Sequence, residues 1–146
     1  MKKELSGAFA LDASALIELV HGTAEGTLLR DAMIDGLMTA KTHEMAMTEL
    51  RYILCRNLGR DEAKERVEKL LASGYVTVEQ TSELVEAAAD YKCERAIALP
   101  DSFSIALGKL SNTQVLFAKR EEDLAKEMEK DPFDIEIRFL QEYATS

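Results

Sequence analysis

Four carboxylates stand at places where an acid can do chemistry. Asp12 closes the stretch "AFALD" and is followed by Ala13, Ala15, Leu16 and Ile17. Asp101 follows "IALP" and opens "SFSIALGK"; Glu121 follows "QVLFA" by three residues and opens the next helical pattern. Glu49 lies inside "HEMAMTELRYILCR", on the shoulder of its apolar face, with Tyr52 and Arg56 on the same side. Asp12 poses the sharpest question. An ionised carboxylate in apolar surroundings costs several kcal/mol unless it is paired, and otherwise it takes up a proton. Either a partner satisfies it, or it is held ready for something that binds. Carboxylates gathered without a matching number of cations raise one another's pKa and strain the fold. Magnesium or manganese, hard ions that prefer oxygen ligands, removes that penalty. Taken singly, each acid has a plainer role: Asp caps helices, acids in a first turn suit the helix dipole, and a mid-helix Glu is usually solvated.

Such convergence needs a scaffold. "GAFAL" (7–11), "LMTA" (37–40), "YVTV" (75–78) and "QVLFA" (114–118) have the short apolar character of buried strands, and "IEIRFL" (135–140) reads as an edge strand or a helix. Helical periodicity fills the intervals at 13–20, 24–35, 43–56, 61–73, 82–95, 102–110 and 121–129. Alternating strands and helices with continuously apolar strands predict an α/β fold, a mostly parallel five-stranded sheet flanked by helices on both faces. Ligands in such sheets bind beyond the carboxyl ends of the strands, where the strand order reverses. Asp12, Asp101 and Glu121, each at an extended-to-helix junction, would be delivered to that one rim.

The 146 residues predict a single domain, 1–146, with no internal repeat, linker or low-complexity segment. The opening "MKKELSGAFAL" is too soon interrupted by Asp12 to act as a signal peptide or a membrane span, so no membrane partner is expected. Cys55 and Cys93 lack CxxC spacing and read as reduced thiols of a cytoplasmic protein. The net charge of −9 removes any general attraction to nucleic acid and leaves only a local basic stripe as a route to RNA. Arg51, Arg56, Lys119 and Arg120 are the cations nearest the acids in the chain, and Tyr52 is the nearest aromatic. His21 and His43, at helix borders among polar residues, read as surface side chains.

Taken in order, "FALDASALIEL" (9–19), "MTELRYIL" (47–54), "LPDSFSIALG" (99–108) and "VLFAKREEDL" (115–124) resemble PIN domains, most closely the small single-domain VapC-type toxins. The resemblance spans nearly the whole chain. It implies a PIN-like three-layer sandwich and places the family's acidic set on Asp12, Glu49, Asp101 and Glu121. It also implies a magnesium- or manganese-dependent endoribonuclease acting on RNA, which commonly forms a homodimer and is silenced by an antitoxin protein. Asp12 and Asp101 are then expected as direct metal ligands, Glu49 as a ligand or the holder of one, and Glu121 as the fourth acid. The chain departs from the pattern at the last motif, where Lys119-Arg120-Glu121 stands in place of Thr/Ser-x-Asp. Asp123 is the alternative there. Ser14 matches the small polar residue two after the first Asp and is expected to cap the helix rather than to steady a carboxylate. The apolar residues Leu28, Leu29, Ala32 and Met33 exceed what helix 24–35 needs and offer a partner surface.

Other readings compete. A phosphoacceptor receiver domain would want paired acids after the first strand and an Asp after the third, where "VEQ" stands. A haloacid-dehalogenase phosphatase would want Asp-x-Asp, and position 14 is Ser. A catalytically weak PIN-like scaffold and a nuclease of RNA processing or maturation both remain compatible with the same residues.

Overall fold

The computed structural model describes residues 3–144. Five strands form its centre: β1 (Gly7–Leu11), β2 (Met38–His43), β3 (Val76–Glu79), β4 (Gln114–Phe117) and β5 (Ile137–Phe139). They pair in the order β3-β2-β1-β4-β5, and every pair is parallel. Parallel neighbours require crossovers, which the helices supply. These are α1 (Ala13–His21), α2 (Ala24–Ile34), α3 (Glu44–Leu58), α4 (Arg60–Ser73), α5 (Val85–Glu94), α6 (Leu99–Ser111), α7 (Glu122–Lys130) and α8 (Gln141–Ala144).

The two-residue period of the strands divides the core. Phe9 and Leu11 of β1 and Leu116 of β4 point into one cluster with Leu16, Leu29, Leu50, Leu54 and Val67 from α1 to α4. Ala10, Val115 and Phe117 point the other way, into a cluster with Ala88, Ile105, Leu107 and Leu124 from α5 to α7. Both faces are therefore covered, as the continuous apolar strands predict. At the α1–α2 corner, Gly26 lies so close to α1 that a Cβ would stand 1.8 Å from the Glu18 carbonyl oxygen, and a side chain there would force the two helices apart. Among the described residues no helix is long and apolar enough to cross a membrane.

Several boundaries move. β2 extends to His43, beyond the predicted 37–40, because parallel pairing with both β1 and β3 carries its polar half. The buried Thr42 hydroxyl donates to the Leu11 carbonyl at 2.7 Å, which satisfies a polar side chain inside the sheet. The predicted helix 82–95 is a 3-10 turn, Thr81–Leu84, followed by α5. α6 begins at Leu99, with Pro100 in its first turn, where a missing N–H costs nothing. "ALP" is thus entry to the helix rather than the end of a strand. The segment 135–140 forms the parallel edge strand β5 and leads into α8.

Candidate active site

β1 lies between β2 and β4; the chain adds β2 and β3 on one side of it and then β4 and β5 on the other, so the carboxyl ends of β1 and β4 form the switch point. Asp12 is the first residue past β1, and its amide is anchored by the Leu116 carbonyl of β4 at 2.9 Å. It is the N-cap of α1, and its carboxylate is buried, 6% exposed. Its Oδ2 accepts from the Ser14 amide at 3.0 Å and the Ser14 hydroxyl at 2.8 Å. Its Oδ1 accepts from the Ser104 hydroxyl of α6 at 2.7 Å. Burial nevertheless pushes the carboxyl above its ordinary value, against the pull of these hydrogen bonds.

Behind Ser104 stands His43, at 0% exposure. This overturns its reading as a surface residue. His43 caps α3: its Nδ1 accepts from the Ala46 amide at 3.1 Å. The proton of the neutral ring therefore sits on Nε2, which donates to the Ser104 oxygen at 2.9 Å. Ser104 in turn must point its own proton at Asp12. Burial lowers the His43 pKa to about 4, so the ring is neutral and this direction of donation holds at neutral pH. The chain from Ala46 through His43 and Ser104 to Asp12 ties together the elements that carry Asp12, Glu49 and Asp101. His21 is partly exposed, with the Asn57 amide 3.4 Å away.

Ser14 also departs from expectation. Asp12 itself is the cap, and the Ser14 hydroxyl both steadies the carboxylate and accepts from the Ala118 amide just after β4 at 3.0 Å. It locks the two strand ends together.

Glu49 and Asp101 face the opposite circumstance. Burial and the Asp12 charge raise Glu49 to about 7. Burial raises Asp101 to about 7, reinforced by the charges of Asp12, Glu49, Glu121 and Asp123. Asp101 thus feels the charges of Asp12 and Glu49, and also those of the exposed Glu121 and Asp123. Among the described residues none of these five acids forms an ion pair. Glu49 Oε1 is buried with no hydrogen-bond partner, which costs about 1–3 kcal/mol or more for a charged group. Hard oxygen donors, an orphaned buried oxygen and unrelieved repulsion are the chemistry a divalent cation suits. As the side chains stand, however, no three His, Cys, Asp or Glu residues among those described form a group that could hold a metal ion. The donor set fits; its closure is not preformed.

Glu121 is the N-cap position of α7 but makes no side-chain capping bond. It shares a cleft of about 380 Å³ with Ser14, Ala118 and Lys119. Arg120 turns away from the rim: it pairs with Glu129 at 3.7 Å and lies 5.7 Å from the centre of the Phe139 ring. Arg51, Tyr52 and Arg56 lie instead on a groove between α3 and α4. The sequence reading missed His43 and Ser104. The available signal was polar residues at core positions, Ser102 and Ser104 inside "SFSIALG" above all.

These features define a parallel α/β protein with an uncompensated acidic rim at its switch point. The family model of the PIN domain matches residues 9–134, and the chain belongs to the PIN domain family. Among solved structures it is similar to VapBC2 from Rickettsia felis, bound to a DNA fragment from its promoter, at 9% identity and a TM-score of 0.69 over 90% of this chain and 98% of that one. It is similar to DNA-bound VapBC from Salmonella typhimurium at 16% identity and a TM-score of 0.68, covering 91% and 98%. It is also similar to VapC20 of Mycobacterium tuberculosis, described as a Sarcin-Ricin loop cleaving toxin, at 20% identity and a TM-score of 0.62, covering 81% and 93%. At these identities the likeness is one of fold. No curated protein matches the chain by sequence. The receiver and dehalogenase readings fall with the family assignment.

Proposed function

We propose that this PIN domain is a magnesium- or manganese-dependent endoribonuclease, the toxin of a VapC-type toxin–antitoxin pair. One observation supports the reading: Glu49 and Asp101 feel the Asp12 charge, none of the three has an ion pair among the described residues, and burial with mutual repulsion holds Glu49 and Asp101 near pKa 7. Asp12 and Asp101 would hold the ion directly, Glu49 would complete the set through its orphaned oxygen, and Glu121 would reach it from the margin. Asp123 is placed similarly and is the alternative. A bound divalent cation supplies charge for a phosphodiester oxygen and a water nucleophile at neutral pH.

The protein groups have separate tasks. Ser14 and Ser104 fix both oxygens of Asp12, so the carboxylate cannot rotate away from the rim. Glu49 and Asp101 release their protons as an ion binds, so affinity rises with pH through 7. Support for a toxin role comes from the neighbours: VapC20 is described as a toxin that cleaves the Sarcin-Ricin loop, and the Rickettsia and Salmonella structures are VapBC assemblies with DNA. On that basis an antitoxin partner, a homodimer and a cytoplasmic location belong to the proposal, as does RNA as substrate. An RNA-processing nuclease would use the same site on another RNA. A catalytically weak scaffold is favoured by one feature, the absence of a preformed three-acid group among the described residues.

The test is cleavage of RNA by purified protein with manganese or magnesium, its arrest by EDTA, and its loss in folded Asp12→Asn and Asp101→Asn proteins. Full cleavage by the Asp12→Asn protein would overturn the site assignment.

A further inference from the structure

The lysines and arginines of this acidic chain are mostly engaged with carboxylates or carbonyls. Among those described, only Arg51, Arg56, Arg60, Lys64, Lys119 and Lys130 make neither an ion pair nor a side-chain hydrogen bond. The first four are not scattered. They line one groove of about 500 Å³ between α3 and α4, floored by Tyr52, Cys55 and Ala63. The spacing explains this: positions 48, 51, 52, 55 and 56 form one face of α3, and 60, 63 and 64 one face of α4. All four cations are exposed, so packing does not require them. With 27 acids in the chain, four neighbouring cations left without a carboxylate mark a surface that an outside anion fits.

We infer that this groove binds single-stranded RNA flanking the cleavage point, with Arg51, Arg56, Arg60 and Lys64 on phosphates and Tyr52 stacking a base. The inference deepens the ribonuclease reading and rests on it for the identity of the anion. Two features favour RNA over an acidic peptide. Tyr52 is 43% exposed, and the Arg56 guanidinium lies 4.9 Å from its ring centre, a flat cationic platform suited to a base. The groove also shares α3 with Glu49: Tyr52 is three residues from it, hence its neighbour on the helix surface. On this reading a strand with one phosphate near Glu49 continues along α3 toward the cations. An acidic peptide gains nothing from lying beside five carboxylates, whereas a phosphodiester strand needs such a cationic approach to reach them.

The experiment is binding of a fluorescein-labelled oligouridine RNA in EDTA, where cleavage is silent, across a salt series. Arg56→Gln/Arg60→Gln should weaken binding about ten-fold or more at roughly 0.1 M salt and reduce the log–log salt slope by about 1.4, near 0.7 for each charge removed. Tyr52→Ala should weaken binding about ten-fold and leave the slope unchanged, the signature of lost stacking. Lys130→Gln, outside the groove, should change neither. Wild-type affinity and slope in the double variant would overturn the inference, and so would a Glu-rich peptide that displaces RNA from the groove more effectively than unlabelled RNA does. Cleavage with manganese, scored separately on wild type and Asp12→Asn, distinguishes failure of the nuclease reading from failure of the groove, because binding in EDTA needs no metal.

Discussion

The protein buries carboxylates in two places and treats them in opposite ways. On the α5–α7 side, Glu127 is 7% exposed with Arg95 beside it, 4.0 Å from its carboxylate. Arg95 also donates to the carbonyls of Glu127, Asp131 and Pro132 and lies 4.0 Å from the centre of the Phe133 ring. That acid has a cation supplied from within the chain. At the switch point, Asp12 has hydrogen-bond donors but no cation, and Glu49 Oε1 has neither. Asp12 is buried, and Glu49 and Asp101 are half-buried, yet among the described residues no lysine or arginine pairs with any of the three. The difference is between an acid neutralised by its own chain and acids that are not, and under the proposed function the second set is where an ion binds.

The strongest way to break the contrast is by activity. Asp12→Asn and Asp101→Asn should lower RNA cleavage by a hundred-fold or more while the proteins stay folded, whereas the buried Glu127 network has no part in the chemistry. Stability should then change with opposite signs at the two places. Arg95→Ala leaves Glu127 buried without its cation and should cost about 3 kcal/mol in urea unfolding. Asp101→Asn removes a repelled charge and should stabilise the metal-free protein by about 2 kcal/mol at pH 8. Asp101 has a folded pKa near 7, above its unfolded value, so the native state holds the extra proton between about 4 and 7, and its penalty is fully present only above 7. The gain from Asp101→Asn should therefore shrink toward pH 5.

His43 titrates with the reverse sign. Its folded pKa of about 4 lies below the unfolded 6.5, so its contribution is present above 6.5 and is lost as pH falls through 4, a change on the order of 3 kcal/mol. Unfolding curves of His43→Gln should be lower than wild type at pH 7 and flatter between pH 6 and 4. A subtler change is Ser104→Ala, which strips the donor from Asp12 Oδ1 and the acceptor from His43 Nε2. It should cost about 1–3 kcal/mol and weaken manganese binding about ten-fold or more by calorimetry. Glu121→Gln, at the exposed margin, should change stability by less than about 0.5 kcal/mol and cleavage only a few-fold.

Much of this was legible beforehand. Asp12 was legible because a lone acid in "AFALDASALIE" violates the apolar pattern around it, whereas Asp101 follows no strand and sits in the first turn of α6. The supporting residues were not. His43 and Ser104 are 61 positions apart, and only the packing of α6 across the end of β2 makes them partners. The burial of His43 is a tertiary property, invisible in a stretch, "KTHEM", that reads as polar. For Ser14 the less favoured of two roles holds: serine is a good cap, yet the residue two before it already fills that position and Ser14 steadies its carboxylate. The cationic groove was half visible, since Arg51 and Arg56 stood out by nearness to Glu49. Arg60 and Lys64 join them only when α4 folds back against α3.

The claim that the rim awaits a cation is tested most directly by calorimetric titration of the metal-free protein with manganese at pH 8 and pH 5.5. Binding is expected at pH 8, with weaker binding and greater proton release at pH 5.5, and none in Asp12→Asn at either pH. A wild-type protein that shows no manganese binding at pH 8, or an Asp12→Asn protein that binds as tightly as wild type, would contradict it.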